Sequence, residues 1–422
     1  MLRRKSMNKQ RQKIVVVGLG YIGLPTASIL ATKGHAVVGV DVKESTVATI
    51  NSGRIHIVEP DLDVLVRSAV NSGNLKAVLV PEEGDTFILA VPTPFTRKSP
   101  ADDKIPDLSF IDAATRAIAP CLREGNLVIL ESTSPVGTTE RIAELIAELR
   151  PDLVQSRSGS RTQLSVYLAH CPERVLPGHI LRELVDNDRI IGGINRASAE
   201  QARDLYKSFC NGGMHLTDAR TAEMAKLVEN SSRDVNIAFA NELSIICDKL
   251  GINVWELIEL ANRHPRVNIL QPGPGVGGHC IAVDPWFIVA AAPKEAKLIR
   301  AAREVNDAKP HWVLDRVRSK AERFKNPVIG CLGLAFKADI DDLRESPALE
   351  ITRELIRSGV GRVMACEPNV EGAGEDFPLY GLAEVMRDAD ILLVLVDHEE
   401  FKGIDRELLK EKVVIDTRGV WR

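Results

Sequence analysis

A chain of 422 residues with 45% hydrophobic and 27% charged side chains can bury the cores of two or three domains. Its formal net charge of -4 and pI near 6.2 supply no global attraction for nucleic acid or an anionic membrane, and neither is expected as a partner. The seven cysteines (121, 171, 210, 247, 280, 331 and 366) are scattered, odd in number and without CxxC spacing, which predicts a reducing, cytoplasmic setting and excludes a disulfide framework or a structural metal site.

The basic stretch 1–12 is expected to be a disordered lead-in, since the apolar run after it is interrupted by Gly18 and Gly20 and does not form a signal peptide. No apolar run reaches the roughly 18 residues of a membrane span. From Lys13 the chain reads as a β-branched strand feeding Gly18-Leu-Gly20-Tyr21-Ile22-Gly23, then a helical pattern to Gly34, then a second strand ending at Asp41. That context is required for a dinucleotide-binding turn. Gly18 would permit the tight turn, Gly20 the approach of a diphosphate, and Gly23 close helix packing, with the helix N-terminus offering free N–H groups. Asp41 would accept the ribose hydroxyls and repel a 2′-phosphate, favouring NAD over NADP, a preference that Lys43 softens.

Further strands are predicted at 86–91, 126–131, 164–169 and 189–194, with helical patterns near 107–119, 138–149 and 198–210. The alternation predicts a doubly wound parallel α/β sheet, whose ligands lie beyond the strand C-termini. The residues there are Pro92-Thr93-Pro94, Ser132-Thr133-Ser134 and Cys171-Pro172-Glu173-Arg174. Any one of them taken alone reads more readily as a polar turn than as a site. A long helix follows from Thr217, with Thr217 or Asp218 as N-cap, to Leu250, where Gly251 stops it. Glu223, Lys226 and Asn230 share one of its faces, either as a solvated stripe or as residues with a task.

The stretch Gly273-Pro-Gly-Val-Gly277-Gly-His-Cys280-Ile-Ala-Val-Asp284-Pro285 has too many glycines and prolines for a helix interior or a central strand. It reads as a shaped loop or a helix start. Cys280 in it is either a small buried hydrophobe or a nucleophile that a substrate approaches closely. After a helical pattern at 294–324, Asn326–Lys337 again runs from strand into glycine turn, and the strand at 362–366 again ends in an acid, Glu367. The third glycine is missing and Lys337 follows, so this second nucleotide-type domain would hold phosphates with the side-chain charges of Lys337, Arg344 and Arg418. A mononucleotide or nucleotide-sugar diphosphate suits it.

An alcohol dehydrogenase needs no nucleophile, but a cysteine becomes useful when an aldehyde is oxidised further through a thioester, with two NADH formed per substrate. A one-step NAD-dependent β-hydroxyacid dehydrogenase and a non-catalytic NAD-binding sensor share parts of the pattern. They predict one NADH and none, respectively.

Five segments together carry a resemblance: Gly18–Gly23, Glu131-Ser-Thr-Ser-Pro135, Glu223-x-x-Lys226-x-x-x-Asn230, Gly277-Gly-His-Cys280-x-x-x-Asp284, and Ala335-Phe-Lys337 with Arg344-Glu-Ser346. With them the chain resembles the UDP-sugar 6-dehydrogenases, which oxidise the C6 alcohol of a UDP-hexose to the acid in two NAD-dependent steps. Cys171-Pro-Glu-Arg-Val-Leu-Pro-Gly178 and the segment through Trp286 are similar to the branch acting on UDP-N-acetyl-D-mannosamine, a UDP-N-acetylhexosamine. UDP-N-acetylglucosamine and UDP-glucose stand as alternatives.

The resemblance implies Cys280 as nucleophile, Lys226 and Asn230 at the oxyanion and substrate, Asp284 on the water with Thr133 supporting it, and Glu173 in thioester hydrolysis. It implies Gly18, Gly20, Tyr21, Ile22, Gly23, Asp41, Thr93, Thr133 and Arg344 around NAD. Arg174, Arg266 (supplied across a dimer interface), Gly277, Lys337 and Arg418 would bind substrate, and no metal is implied. The carboxylate that some relatives carry four residues after Glu173 is Pro177 here, and Glu367 replaces a common aspartate. The implied architecture is an NAD domain over 13–212, a central helical dimerisation segment over 213–312 and a UDP domain over 313–422, in a homodimer or higher homo-oligomer.

Overall fold

Lys13–Val17 is apolar after its first residue and forms a strand, β1, whose last four residues are buried, as a central parallel strand requires. In this computed structural model the described residues are 11–96, 104–158, 161–176, 178–278, 280–370 and 377–422. Most of the lead-in, Pro177 and His279 lie outside them. After β1 come α1 (Gly23–Thr32), β2 (Ala36–Val40), α2 (Glu44–Asn51), α3 (Leu62–Asn71), β3 (Leu75–Val78) and β4 (Thr86–Leu89). A short ribbon of β5 (Phe95–Thr96) and β6 (Ile105–Pro106) precedes α4 (Ser109–Ile118), β7 (Leu127–Leu130) and α5 (Thr138–Leu149). A second ribbon, β8 (Val154–Ser158) and β9 (Arg161–Leu164), leads to β10 (Tyr167–His170), α6 (Ile180–Asp186), β11 (Arg189–Gly193), α7 (Arg196–Tyr206) and β12 (Met214–Asp218).

Eight of these strands form one sheet in the order β12-β11-β10-β7-β4-β1-β2-β3. Side chains alternate between its two faces: Ile14 and Val16 enter one core, Val15 and Val17 the other. The sheet is not wholly parallel, because β11 runs antiparallel to β10. An antiparallel neighbour needs its connection to stay at one edge, and short α6 does so instead of crossing back over the sheet. Strand and helix alternation alone carries no sign of that reversal. The strand expected at 164–169 is also divided, Leu164 closing the ribbon β8–β9 and Tyr167 opening β10. Thr217 lies in β12 and does not cap the long helix. Asp218 does, its carboxylate accepting the Thr221 N–H at 2.9 Å.

The chain divides into two units, Met1–Val228 and Glu229–Arg422, and the long helix α8 (Ala219–Leu250) runs through the division. Gly251, at φ +68°, ends α8 in the left-handed conformation that a glycine adopts at little cost. The second unit continues with α9 (Val254–Ala261), α10 (Asp284–Ala291), α11 (Lys297–Ala321), β13 (Val328–Leu332), α12 (Pro347–Ser358) and β14 (Arg362–Cys366). It closes with α13 (Leu382–Asp388), β15 (Ile391–Val394), α14 (Glu399–Lys402) and β16 (Val413–Asp416). Its sheet, β14-β13-β15-β16, is parallel throughout. In both sheets the chain reverses its lateral direction beside the first strand, at β1/β4 and β13/β15. Each thereby opens a crevice where ligands bind.

Candidate active site

Gly18 follows β1 at φ +92°, and a Cβ there would stand 2.6 Å from the Ala90 carbonyl oxygen. A Cβ on Gly23 would fall 1.8 Å from the Gly18 carbonyl oxygen, so α1 packs against the turn only because that position is bare. Gly20 differs: nothing lies within 4 Å of its Cβ position. Its bareness serves no protein contact and leaves room for a ligand backbone. Tyr21 and Ile22 complete the turn, and α1 begins at Gly23 with its N-terminal N–H groups directed at the crevice. The Asp41 carboxylate accepts the Leu19 N–H at 3.2 Å and the Lys43 N–H at 3.0 Å, which fixes it at the rim of this cradle. His56, unmarked in the sequence, stands beside Asp41, its pKa lowered mainly by burial and by Lys43 against the raising effect of Asp41. Clearance, helix dipole and rim carboxylate fit a dinucleotide.

At the ends of β4 and β7 the structure brings two candidates together, since the Thr93 hydroxyl donates to the Thr133 carbonyl at 2.6 Å. Ser132 ties the same two loops by donating to the Val91 carbonyl at 2.6 Å. Glu131 beside them is fully buried, and desolvation together with the Glu173 charge pushes its carboxyl up to about 7. It accepts the Tyr206 hydroxyl at 2.6 Å. Glu173 is buried in an ion pair with Arg189 (3.0 Å) and also accepts the Arg174 N–H at 2.9 Å. Arg174 donates to the Asp188 carbonyl and lines a cavity of about 450 Å³ with Asp188, His215, Thr217 and Thr221.

Two members of the α8 stripe have different surroundings. Glu223 is buried and accepts the Gly137 and Thr139 N–H groups (2.6 and 2.8 Å) and the Thr139 hydroxyl (2.6 Å). It therefore caps α5, and a solvated stripe is excluded for it. Lys226, one turn on, is half-buried and has no hydrogen bond or ion pair among the described residues.

In the second unit Cys280 sits in the turn that opens α10, its carbonyl accepting the N–H groups of Val283 (3.0 Å) and Asp284 (2.8 Å). It is exposed, whereas Cys171, Cys210, Cys247, Cys331 and Cys366 are buried. Burial pushes the thiols of Cys171, Cys331 and Cys366 up to about 12, which leaves them inert. Asp284, 3% exposed, receives the Asn230 amide at 2.5 Å. The loop before Cys280 presses on the turn after β13. A Cβ on Gly277 would meet the Glu345 carbonyl oxygen at 2.5 Å, and one on Gly278 the Phe336 ring at 3.0 Å. Arg266 is exposed on the loop after α9.

That second turn repeats the first with altered chemistry. Gly333 has φ +90° and would clash with Val396 if it carried a Cβ, as Gly18 would with Ala90. Instead of a helix N-terminus, a loop with exposed Lys337 follows. Arg344 is bidentate to Asp342 (2.9 and 2.6 Å) and Arg418 is paired with Asp397 at 2.8 Å. Arg189, Tyr206, His56 and Asp397 escaped the sequence reading because each matters through a partner that no spacing rule connects to it, whereas Asp342, two residues before Arg344, could have been found as an Asx turn.

The first cradle defines a dinucleotide-dependent oxidoreductase with a second nucleotide-type fold. The UDP-glucose/GDP-mannose dehydrogenase family matches through its NAD-binding domain at residues 12–210, its central domain at 220–308 and its UDP-binding domain at 330–422. The chain belongs to this family, and its cofactor is NAD. It is 60% identical over 412 residues (97% of this chain, 96% of the relative) to an NDP-N-acetyl-D-galactosaminuronic acid dehydrogenase of Ralstonia nicotianae. It is 53% identical over 421 residues (97% and 99%) to the UDP-N-acetyl-D-mannosamine dehydrogenase of Escherichia coli. Among solved structures, a UDP-N-acetyl-mannosamine dehydrogenase of Staphylococcus aureus superposes with a TM-score of 0.86 at 44% identity, covering 97% of this chain and 95% of that one. No helix among the described residues is long and apolar enough to cross a membrane.

Proposed function

We propose that the protein oxidises the C6 alcohol of UDP-N-acetyl-D-mannosamine to the uronic acid, for surface polysaccharide synthesis, through a thioester on Cys280. The observation that carries this reading is an exposed cysteine on a glycine loop packed against the basic turn after β13. When bound, NAD takes up one hydride in each of the two oxidations. Lys226, which has no hydrogen bond or ion pair among the described residues, stabilises the alkoxide and later the tetrahedral oxyanion, and Asn230 shares that task. The Cys280 thiolate adds to the C6 aldehyde, and loss of the second hydride leaves the thioester. Asp284, oriented by Asn230, and Thr133 hold the water, and Glu173 assists its attack, which releases the acid and restores the thiol. Thr93, Thr133 and Arg344 line the nicotinamide side. Lys337 and Arg418 hold the diphosphate, Arg174 and Gly277 the sugar.

Residues 213–312 form the dimerisation segment in this reading, and Arg266 reaches the partner's substrate. Exposed Phe239, Ile246, Leu250 and Ile252 on and just past α8 support a homodimer. A second reading, an N-acetylgalactosamine-configured substrate, draws on the 60% identical relative.

The purified protein assayed with the manno, gluco and galacto UDP-N-acetylhexosamines and UDP-glucose tests the substrate. Two NADH per UDP-N-acetyl-D-mannosamine are expected. Turnover of another epimer alone rejects the manno choice, and a Cys280→Ala variant that still forms acid rejects the thioester.

A further inference from the structure

The loop that carries Cys280 is tied to α8 at both ends. Asn230 holds Asp284 at one end, and at the other Asn241 accepts the Gly273 N–H at 2.8 Å. Asn230, Asp234 and Asn241 are four and seven residues apart and share one face of α8. The two anchor points are about 16 Å apart along α8 at 1.5 Å per residue.

The Asn241 anchor is itself fixed. Its amide donates to Asn306 Oδ1 at 2.9 Å, and Asn306 donates to the Asp234 carboxylate at 2.8 Å and to the Asp234 carbonyl at 3.1 Å. Arg303 completes the chain with a 2.6 Å ion pair to Asp234. All four side chains are at most 1% exposed. A buried polar chain of this kind adds little net stability over well-packed apolar groups of the same size, but its directional bonds hold one register. The register held here is that of Gly273, from which the loop runs to Cys280.

We propose that Asn241, supported by Asn306, is a positioning residue that places Cys280 for attack on the aldehyde. This rests on the role of Cys280 proposed above. The test uses full-length Asn241→Leu/Asn306→Leu, which removes the Asn241–Asn306 bond from both sides and leaves the buried Gly273 N–H and Asp234 carboxylate each short of a partner. Melting temperature, NADH formed in the first and second oxidations, and the alkylation rate of Cys280 by iodoacetamide without substrate are measured.

The double variant is expected to melt below the wild type while still folding, and to form its first NADH at a near-normal rate. The second NADH and the acid should slow by on the order of 10- to 100-fold, as expected when a reacting group is misplaced by about 1 Å. The alkylation rate should change with them. A folded double variant that forms acid at the wild-type rate overturns the proposal. Should it not fold, Asn241→Ala against Asn241→Asp decides, since aspartate keeps an acceptor for the Gly273 N–H: acid formation should fall in the first and recover in the second, and equal rates overturn the proposal. Cys280→Ala is run alongside. Continued acid formation there sinks the Cys280 reading itself, whereas loss there with normal rates in the Asn241 variants sinks only the anchor.

Discussion

The two glycine turns of this chain start alike and then solve the phosphate problem in different ways. Gly18 and Gly333 each follow the first strand of a sheet at φ near +90°, each packed so closely on the neighbouring strand's exit that a side chain would clash. Two residues on, the first turn has Gly20 with open space around it, and the second has Ala335, 1% exposed. The first turn runs directly into α1, so backbone N–H groups and the helix dipole face the crevice. The second runs into a loop, and the exposed ammonium of Lys337 takes the place of the helix end. The acids that close the second strands also part company. Asp41 sits at the rim with one bond to the turn, whereas Glu367 is buried and accepts the N–H groups of Leu334 (2.7 Å) and Ala335 (2.9 Å) while also meeting His398. One acid is left at the rim of its crevice, and the other is consumed in holding its own turn.

The largest effect should separate the two uses of glycine within the first turn. Gly23→Ala puts a methyl group 1.8 Å from a backbone oxygen that cannot yield, and should cost about 3 kcal/mol or more. Gly20→Ala meets nothing and should leave the melting temperature unchanged, while raising KM for NAD on the order of tenfold because its methyl group occupies the diphosphate's approach. Melting curves and NAD titrations on both variants check this. A Gly20→Ala protein with unaltered NAD affinity would show that the open space is incidental.

Much of this was legible in the sequence because it is local. A β-branched strand, a glycine triad and an acid closing the next strand fall within 30 residues, and each follows from backbone sterics that one short segment obeys. Cys280 was conspicuous for a similar reason, since the four glycines in the seven residues before it are poor packing material. The antiparallel β11 was not legible: strand direction depends on which edge a connection leaves from, and that is settled by packing between distant segments. Nor was the true task of Glu223. Its spacing from Lys226 suggested a shared stripe, but its partners lie at Gly137 and Thr139. Glu367 looked like a minor departure from aspartate, and its extra methylene carries the carboxylate to two N–H groups and an imidazole at once.

Glu367 gives the next test an acid limb. Burial raises its pKa, but hydrogen bonds from His398 and from the Leu334 and Asn369 N–H groups outweigh that, and the net shift is downward from 4.5. A group whose folded pKa is depressed stabilises the fold above its unfolded value and loses that contribution as pH falls through the folded one. Glu367→Gln should therefore lower the stability of the second unit by about 1–3 kcal/mol near pH 7. The gap from wild type should narrow as pH drops below about 4.5. A gap independent of pH in melting experiments would mean that the carboxylate's charge has no part in holding the turn.

The smallest effect should come from the acid at the first turn. In Asp41→Asn the side chain keeps one oxygen for the Leu19 or the Lys43 N–H, so the turn should stand and the melting temperature should barely move. The variant loses the negative charge proposed to bind the ribose diol and repel a 2′-phosphate. KM for NAD should rise roughly three- to tenfold, in line with one charge-assisted hydrogen bond. KM for NADP should fall, because Lys43, no longer faced by a full carboxylate, is free to meet the phosphate. Measuring both constants separates the two uses of an acid after a glycine turn. If Asp41→Asn destabilised the protein as Glu367→Gln does and left the cofactor preference intact, Asp41 too would be a brace for its own turn, and the contrast between the two domains would rest on Gly20 and Lys337 alone.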